Sequence, residues 1–232
     1  MKTGFKTTCD LFRRVGVSVL LITVVLFYSS RASLAESKFE LSETPDGVEV
    51  KLNGKLLTNY LVKSGAKPIL WPLIGPYGNE ITRAYPMRDA GEFERDDHVH
   101  HRSFWFTHGD VNGIDFWSET EGHGNIIHKG FDKVRGGKTG VLATRNDWLG
   151  PDGKRICQDT RTFHADGDLY WIDFDTTVTA GDGSVKFGDT KEGSFGVRVA
   201  GSMKVTSEMG GKIINIHGDT DVNAWGKQSP WV

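Results

Sequence analysis

The sequence predicts an all-β fold, an antiparallel β-sandwich, and three features point to it. With 29 Gly, 7 Trp and 13 Phe in 232 residues, the chain combines turn formers with large flat side chains, a mixture that suits sheets better than helices. Alternating residues Val48-Glu49-Val50-Lys51-Leu52 meet Asn53-Gly54 and continue from Lys55 to Tyr60. Asn-Gly accepts the positive φ angles of a type I′ turn, so this stretch reads as a β-hairpin. From Asn125 onward, runs of strand character recur at 125–134, 139–148, 154–164, 169–179 and 195–206. They are separated by Gly136-Gly137, Gly150-Pro151-Asp152-Gly153, Asp166-Gly167 and Gly181-Asp182-Gly183, the punctuation of a meander.

The N-terminus carries Lys2, Lys6, Arg13 and Arg14 ahead of an apolar run from Val15 to Tyr28, then Ser33-Leu34-Ala35. This is the layout of a secretory signal peptide with a cut before Glu36, and the run is shorter than the roughly 18 to 20 residues that span a bilayer. Residues 1–35 are therefore assigned to the signal and 36–232 to one sandwich domain, periplasmic or secreted, with no membrane span after cleavage. A formal net charge of −2, with no dense basic cluster, gives no electrostatic case for a nucleic-acid partner. Cys9 lies in the signal and Cys157 stands alone in the mature region, so the core and not a disulfide must hold the fold.

Between Gly65 and Pro86, four prolines interrupt the pattern. The segment from Pro68 to Pro76 is expected to be a loop or edge segment, because proline cannot donate to a central ladder. Ile213 to Ile216 reads as a further strand. The chain then stops at Ser229-Pro230-Trp231-Val232 without the polar tail common at domain ends, so the sandwich is expected to be incomplete at its C-terminus.

Chemistry concentrates in one stretch. Six of the eight histidines fall between His98 and His128, and the densest run is Asp96-Asp97-His98-Val99-His100-His101-Arg102-Ser103-Phe104-Trp105-Phe106-Thr107-His108-Gly109-Asp110. If His98 to Thr107 is a strand, His98, His100 and Arg102 share one face and His101, Ser103 and Trp105 the other. Three readings follow. His98 and His100 could ligate a divalent metal, with His108 or Asp110 completing the shell. A histidine titrating near neutral pH could serve as general acid or base beside Arg102 and Asp110, without any cofactor. Or the imidazoles could be hydrogen-bonded structure only. At least two of His98, His100, His101 and His108 are expected to share a pocket with an acidic residue. Trp105, Phe106, Phe116 and Trp117 flank the run as core candidates, and one of the indoles could instead line a sugar pocket. Asp110 and Asn112 could simply cap the turn Gly109 to Gly113. A later segment, Lys191-Glu192-Gly193-Ser194-Phe195-Gly196-Val197-Arg198, offers Glu192 as a base and Arg198 as a clamp if both face the histidines. No nucleophile elbow, P-loop or dinucleotide fingerprint occurs.

Through Asp97 to Phe106, His108 to Trp117 and Glu192 to Ala200, the sequence resembles a family of bacterial secreted domains of unknown function that carries the label "methane oxygenase PmoA". The resemblance implies a sandwich of the galactose-mutarotase type, in which a histidine acid and a late carboxylate base act on a sugar ring. On that basis His101 or His108 is expected as general acid and Glu192 as base. Arg102, Asp110, Trp117 and Arg198 are expected to hold a carbohydrate or other small polar substrate. Epimerase or lyase chemistry is the implied reaction type; the alternatives are a non-catalytic glycan-binding module and, following the label, a metal-dependent oxygenase.

Overall fold

The structure is a computed structural model that describes residues 38–166 and 171–232. The signal-peptide assignment lies outside the described residues. Among the described residues, ten strands form two antiparallel sheets. The first contains β1 (Phe39–Thr44), β2 (Gly47–Leu52), β3 (Lys55–Ser64), β4 (Lys67–Leu70), β5 (Phe104–Phe106) and β10 (Phe195–Val197), in that spatial order. The second is the meander β6 (Asn125–Arg135), β7 (Thr139–Leu149), β8 (Arg155–Asp166) and β9 (Trp171–Ala180). The all-β sandwich is as the sequence predicts. Among the described residues the only helices are short 3-10 turns, and none is long and apolar enough to cross a membrane.

The Asn53-Gly54 turn has φ of 53° and 75°, as a type I′ hairpin requires. Strand parity then decides which side chains enter the sandwich. Tyr60, Leu70 and Phe104 are register partners and point inward, meeting Leu142, Phe163 and Ala165 of the second sheet in one core. Ile69 and Trp105, also partners, point to the other face of the first sheet. There they pack with Trp117 and with Leu61, Trp71 and Met87. This second apolar layer, outside the sandwich proper, is the floor on which the histidine segment rests.

Four expectations are corrected. Pro68 does sit in a central strand, because β4 lies between β3 and β5; the register shifts between Leu61 and Ser64 opposite it, so the missing N–H falls at an irregular point of the ladder. His98 to Thr107 is not one strand: only Phe104–Phe106 extends, and His98 (φ 51°) and Ser103 (φ 62°) are left-handed. The 195–206 run shortens to β10 and then turns through 3-10 segments at Gly201–Met203 and Val205–Ser207. Of Ile213 to Ile216, only Ile214 bridges, to Thr220.

Candidate functional site

The left-handed residues at each end of the segment make it a turn. His101 N–H donates to the His98 carbonyl at 2.9 Å and Arg102 N–H to the His100 carbonyl at 3.1 Å. The alternation expected of a strand is lost, and three imidazoles are gathered instead of being dealt to opposite faces. His98 stacks on His101 (ring centroids 4.8 Å apart, planes 19° apart), and His101 in turn stacks on Trp105 (5.3 Å, 20°). His100 meets His101 edge-on at 4.6 Å, while Trp117 stands edge-on to His101 at 5.8 Å and to Trp105 at 5.3 Å. Trp105 can lie flat because its register partner is Gly196, where a Cβ would come within 2.3 Å of the indole.

Two arginines hold the turn. Arg83, almost wholly buried, donates from Nη2 to the carbonyls of Asp97 (2.8 Å) and His98 (2.6 Å) and from Nη1 to Asp97 Oδ1 (3.3 Å). Arg198, carried in beside Ser103 by the β5–β10 pairing, reaches the same Oδ1 at 3.4 Å, and His98 Nδ1 lies 3.3 Å from it. Partial burial works to raise the Asp97 pKa, but the His98 hydrogen bond and the Arg198 and Arg83 charges outweigh it and hold the carboxyl below its ordinary range. Asp97, His98 and Arg198 form the exposed rim, with side chains 33%, 52% and 33% accessible.

Beside the turn lies a buried ion cluster. Arg102 grips Glu119 with two bonds, Nε to Oε1 at 2.7 Å and Nη2 to Oε2 at 2.6 Å, and Lys67 Nζ approaches Oε1 at 3.4 Å. Burial pushes the Lys67 pKa down to about 8 even with Glu119 beside it. The chain passes this cluster at Gly65 (φ 59°), where any Cβ would stand 2.4 Å from Glu119 Oε1. Burial, followed by the Lys67 charge, also holds His100 below its usual value. Burial first, then the charges of His100 and Arg198, pushes His101 down to about 3. His101 is therefore a neutral imidazole at neutral pH, able to donate one hydrogen bond and accept another, but holding no imidazolium proton to give.

The expected site residues separate into two groups. His98, His100, His101, Arg102, Trp117 and Arg198 lie at the Ser103 end of β5, with Asp97 as the acidic residue among them. His108, Asp110 and Glu192 lie at the Thr107 end; Ser103 and Thr107 are roughly 13 Å apart by strand rise. His108 has no free nitrogen: Nε2 faces the Gly188 carbonyl and Nδ1 the Ser194 hydroxyl, both at 2.8 Å. A carbonyl only accepts, so Nε2 carries a hydrogen and both ring nitrogens are spent on holding the loop. Asp110 Oδ1 caps the turn by accepting from Gly113 N–H at 2.8 Å, and the Glu192 carboxylate pairs with Lys191 at 3.6 Å. Arg102 gives its guanidinium to Glu119 instead of leaving it free for a ligand. Arg83 and Glu119 lie 14 or more residues from the turn positions they hold, and Lys67 lies 52 residues from Glu119, so no spacing in the sequence marks any of the three. Asp97 stood inside the singled-out motif without being assigned a role.

For the metal reading, His98 and His100 stand edge to face at 5.8 Å. Among the described residues no group of three His, Cys, Asp or Glu side chains is arranged to hold a metal ion, so the donor set does not fit a metal-dependent oxygenase.

One further property marks the layer under the turn. Among the described residues, the buried side-chain polar atoms without a partner are His101 Nδ1 and Nε2, Trp105 Nε1, Trp117 Nε1, Ser103 Oγ and Arg83 Nε, all from the histidine turn, its floor and its arginine clamp. Folded proteins satisfy most buried polar groups, so a concentration of unmet ones in one layer is a mark of bound water or ligand. No curated protein and no solved structure matches this chain. DUF6807, a family of unknown function, matches residues 47–232, most of the chain, and the protein belongs to that family.

Proposed function

We propose that the protein is an exported carbohydrate-active or carbohydrate-binding protein whose site is the Asp97–Ser103 turn and the aromatic layer beneath it. The observation that carries this reading is the stack of His98, His101 and Trp105, edged by Trp117 and rimmed by Asp97 and Arg198. Flat apolar faces beside directed charged groups are the means by which proteins hold a sugar ring. The resemblance through Asp97 to Phe106 and Glu192 to Ala200 supports the same class.

Any acid–base step falls to His98, whose Nδ1 is turned to Asp97 and whose ring is half exposed. An Asp-oriented, half-exposed imidazole can accept or return a proton, and the Arg198 guanidinium beside it can stabilise an oxygen gaining charge. Non-catalytic glycan binding is the second reading, and it is favoured by the neutral His101, the doubly bonded His108 and the distant Glu192.

Calorimetric titration against a panel of mono- and oligosaccharides, with product analysis of the same mixtures, tests both. At least one sugar is expected to bind, with affinity about tenfold weaker in His98→Ala. A panel in which nothing binds at millimolar concentration overturns the proposal, and binding without product selects the second reading.

A further inference from the structure

The unmet atoms beneath the turn differ in what they ask of a partner. Arg83 Nε, Trp105 Nε1 and Trp117 Nε1 can only donate. Neutral His101 supplies one donor and one acceptor, and Ser103 one hydroxyl. Above them, the side chain of Arg198 makes one hydrogen bond among the described residues, at 3.4 Å to Asp97, and is a third exposed. A guanidinium has five N–H groups, so most of its capacity is unspent. The buried layer thus offers more donors than acceptors, its acceptors being the Ser103 hydroxyl and one His101 nitrogen, with the Asp97 carboxylate the acceptor of the rim.

A neutral sugar matches this poorly, because each of its hydroxyls brings a hydrogen that needs an acceptor. A carboxylate brings only acceptors, with about four lone-pair sites, and charge-assisted bonds to it are roughly twice as strong as neutral ones. The acidic side chains nearby do not meet the demand. Asp97 Oδ1 is shared by Arg83, Arg198 and His98. Glu94 is turned to the backbone N–H groups of Ala84, Tyr85 and Gly91, and Glu119 to Arg102 and Lys67.

Resting on the carbohydrate reading above, we infer that the ligand is an acidic sugar, a uronate or uronate-containing oligosaccharide. Its carboxylate lies between Arg198 and the indole N–H groups of Trp105 and Trp117. His98 is the cover of this layer: its ring lies flat on His101 and is half exposed, and side chains at that exposure change rotamer in nanoseconds or less. Rotation of His98 opens the way to His101 and the indoles without moving the Arg83-held backbone.

The test pairs sugars that differ only in the carboxylate: glucuronate with glucose, galacturonate with galactose, and each uronate with its methyl ester. Calorimetry on the full chain is expected to show each uronate binding about tenfold tighter than its neutral partners, with the advantage shrinking as salt rises. Trp105→Phe, which keeps a ring and removes the N–H, and Arg198→Gln, at a partly exposed position, should each weaken uronate binding more than binding of the neutral partner, so that the ratio of the two affinities falls several-fold toward one. If Trp105→Phe fails to fold, Arg198→Gln reads the same quantity. Neutral sugars binding as tightly as uronates would overturn the acidic-ligand inference and leave the carbohydrate proposal standing. Binding by neither kind would overturn both.

Discussion

Replacing Glu119 by Gln keeps the shape of the side chain and removes the charge that Arg102 and Lys67 share. Arg102 is left with its two bonds weakened and its guanidinium 14% exposed, while Lys67 has no exposure at all. Removing one partner of a buried ion pair typically costs about 3 to 5 kcal/mol. Lysine has an escape that arginine lacks, because it can shed its proton. In the wild type Lys67 titrates at about 8, against 10.5 for a free lysine, and Glu119 is what raises it that far against burial. Without Glu119 the Lys67 pKa falls further and the folded variant is neutral there at pH 7. The unfolded chain binds the proton in both proteins. At pH 7 the variant therefore forfeits the proton that wild-type Lys67 retains, a penalty of about 1 kcal/mol for the unit between pH 7 and 8. At pH 9 the wild-type lysine is already mostly neutral when folded, so that part of the penalty vanishes and the loss of the Arg102 pair remains. Urea unfolding at the two pH values should give a ΔΔG about 1 kcal/mol larger at pH 7 than at pH 9. Equal values at both would refute the coupling of Lys67 to Glu119, and a ΔΔG near zero at both would refute the buried cluster itself.

Gly196→Ala places a methyl group against the Trp105 indole and should lower stability by about 1 to 3 kcal/mol in denaturant titration, together with a change in near-UV circular dichroism. Asp159→Asn weakens the carboxylate that accepts from Asn146, Trp148 and Arg161 inside the sandwich; with Arg161 only 2% exposed, the loss should be about 3 to 5 kcal/mol, more than any surface change. His101, held near 3 when folded against an ordinary 6.5, makes stability full above pH 6.5 and lets it fall as the pH drops from there toward 3, because the unfolded chain takes a proton that the folded one refuses. The slope is at most about 1.4 kcal/mol per pH unit and less for a ring that is partly solvated; His101→Phe should flatten the wild-type decline between pH 6 and 4.5, as read by thermal melts. Cys157, fully buried and with its thiol pushed up to about 12, should resist alkylation in the native protein and react once urea is added.

The sequence exposed the parts of the fold that rest on local chemistry. Asn53-Gly54 dictates its own turn, and the meander from Asn125 to Ala180 alternates plainly enough that its strand ends fall within a few residues of those expected. The histidine segment hid its shape because the residues that bend it, His98 and Ser103, are not glycine, and the enrichment of histidine at positive φ is too slight to single out one of three neighbouring imidazoles. Pro68 misled for a related reason: the rule against proline in central strands holds for regular ladders, and the irregular point beside it is set by tertiary pairing with β3. Within the candidate site, residue identity was legible and partnership was not. The imidazoles, Trp117 and Arg198 were visible as chemistry; that Arg102 is spent on Glu119, and His108 on Ser194 and Gly188, depends on contacts across 17 and 80 or more residues. Those contacts decide which groups remain available for a ligand.

The most direct test of the account uses the indole N–H groups as reporters. The chain has 7 Trp, and each gives a separate indole signal in a nitrogen–proton NMR spectrum. Trp148 is bonded to Asp159 and Trp71 to the Arg83 carbonyl, whereas Trp105 and Trp117 lack partners. Titration with a sugar that binds in the panel should move the Trp105 and Trp117 signals, assigned through Trp→Phe variants, and leave Trp148 in place. Saturable binding that shifts other indoles while Trp105 and Trp117 stay fixed would contradict the assignment of the site to the histidine turn.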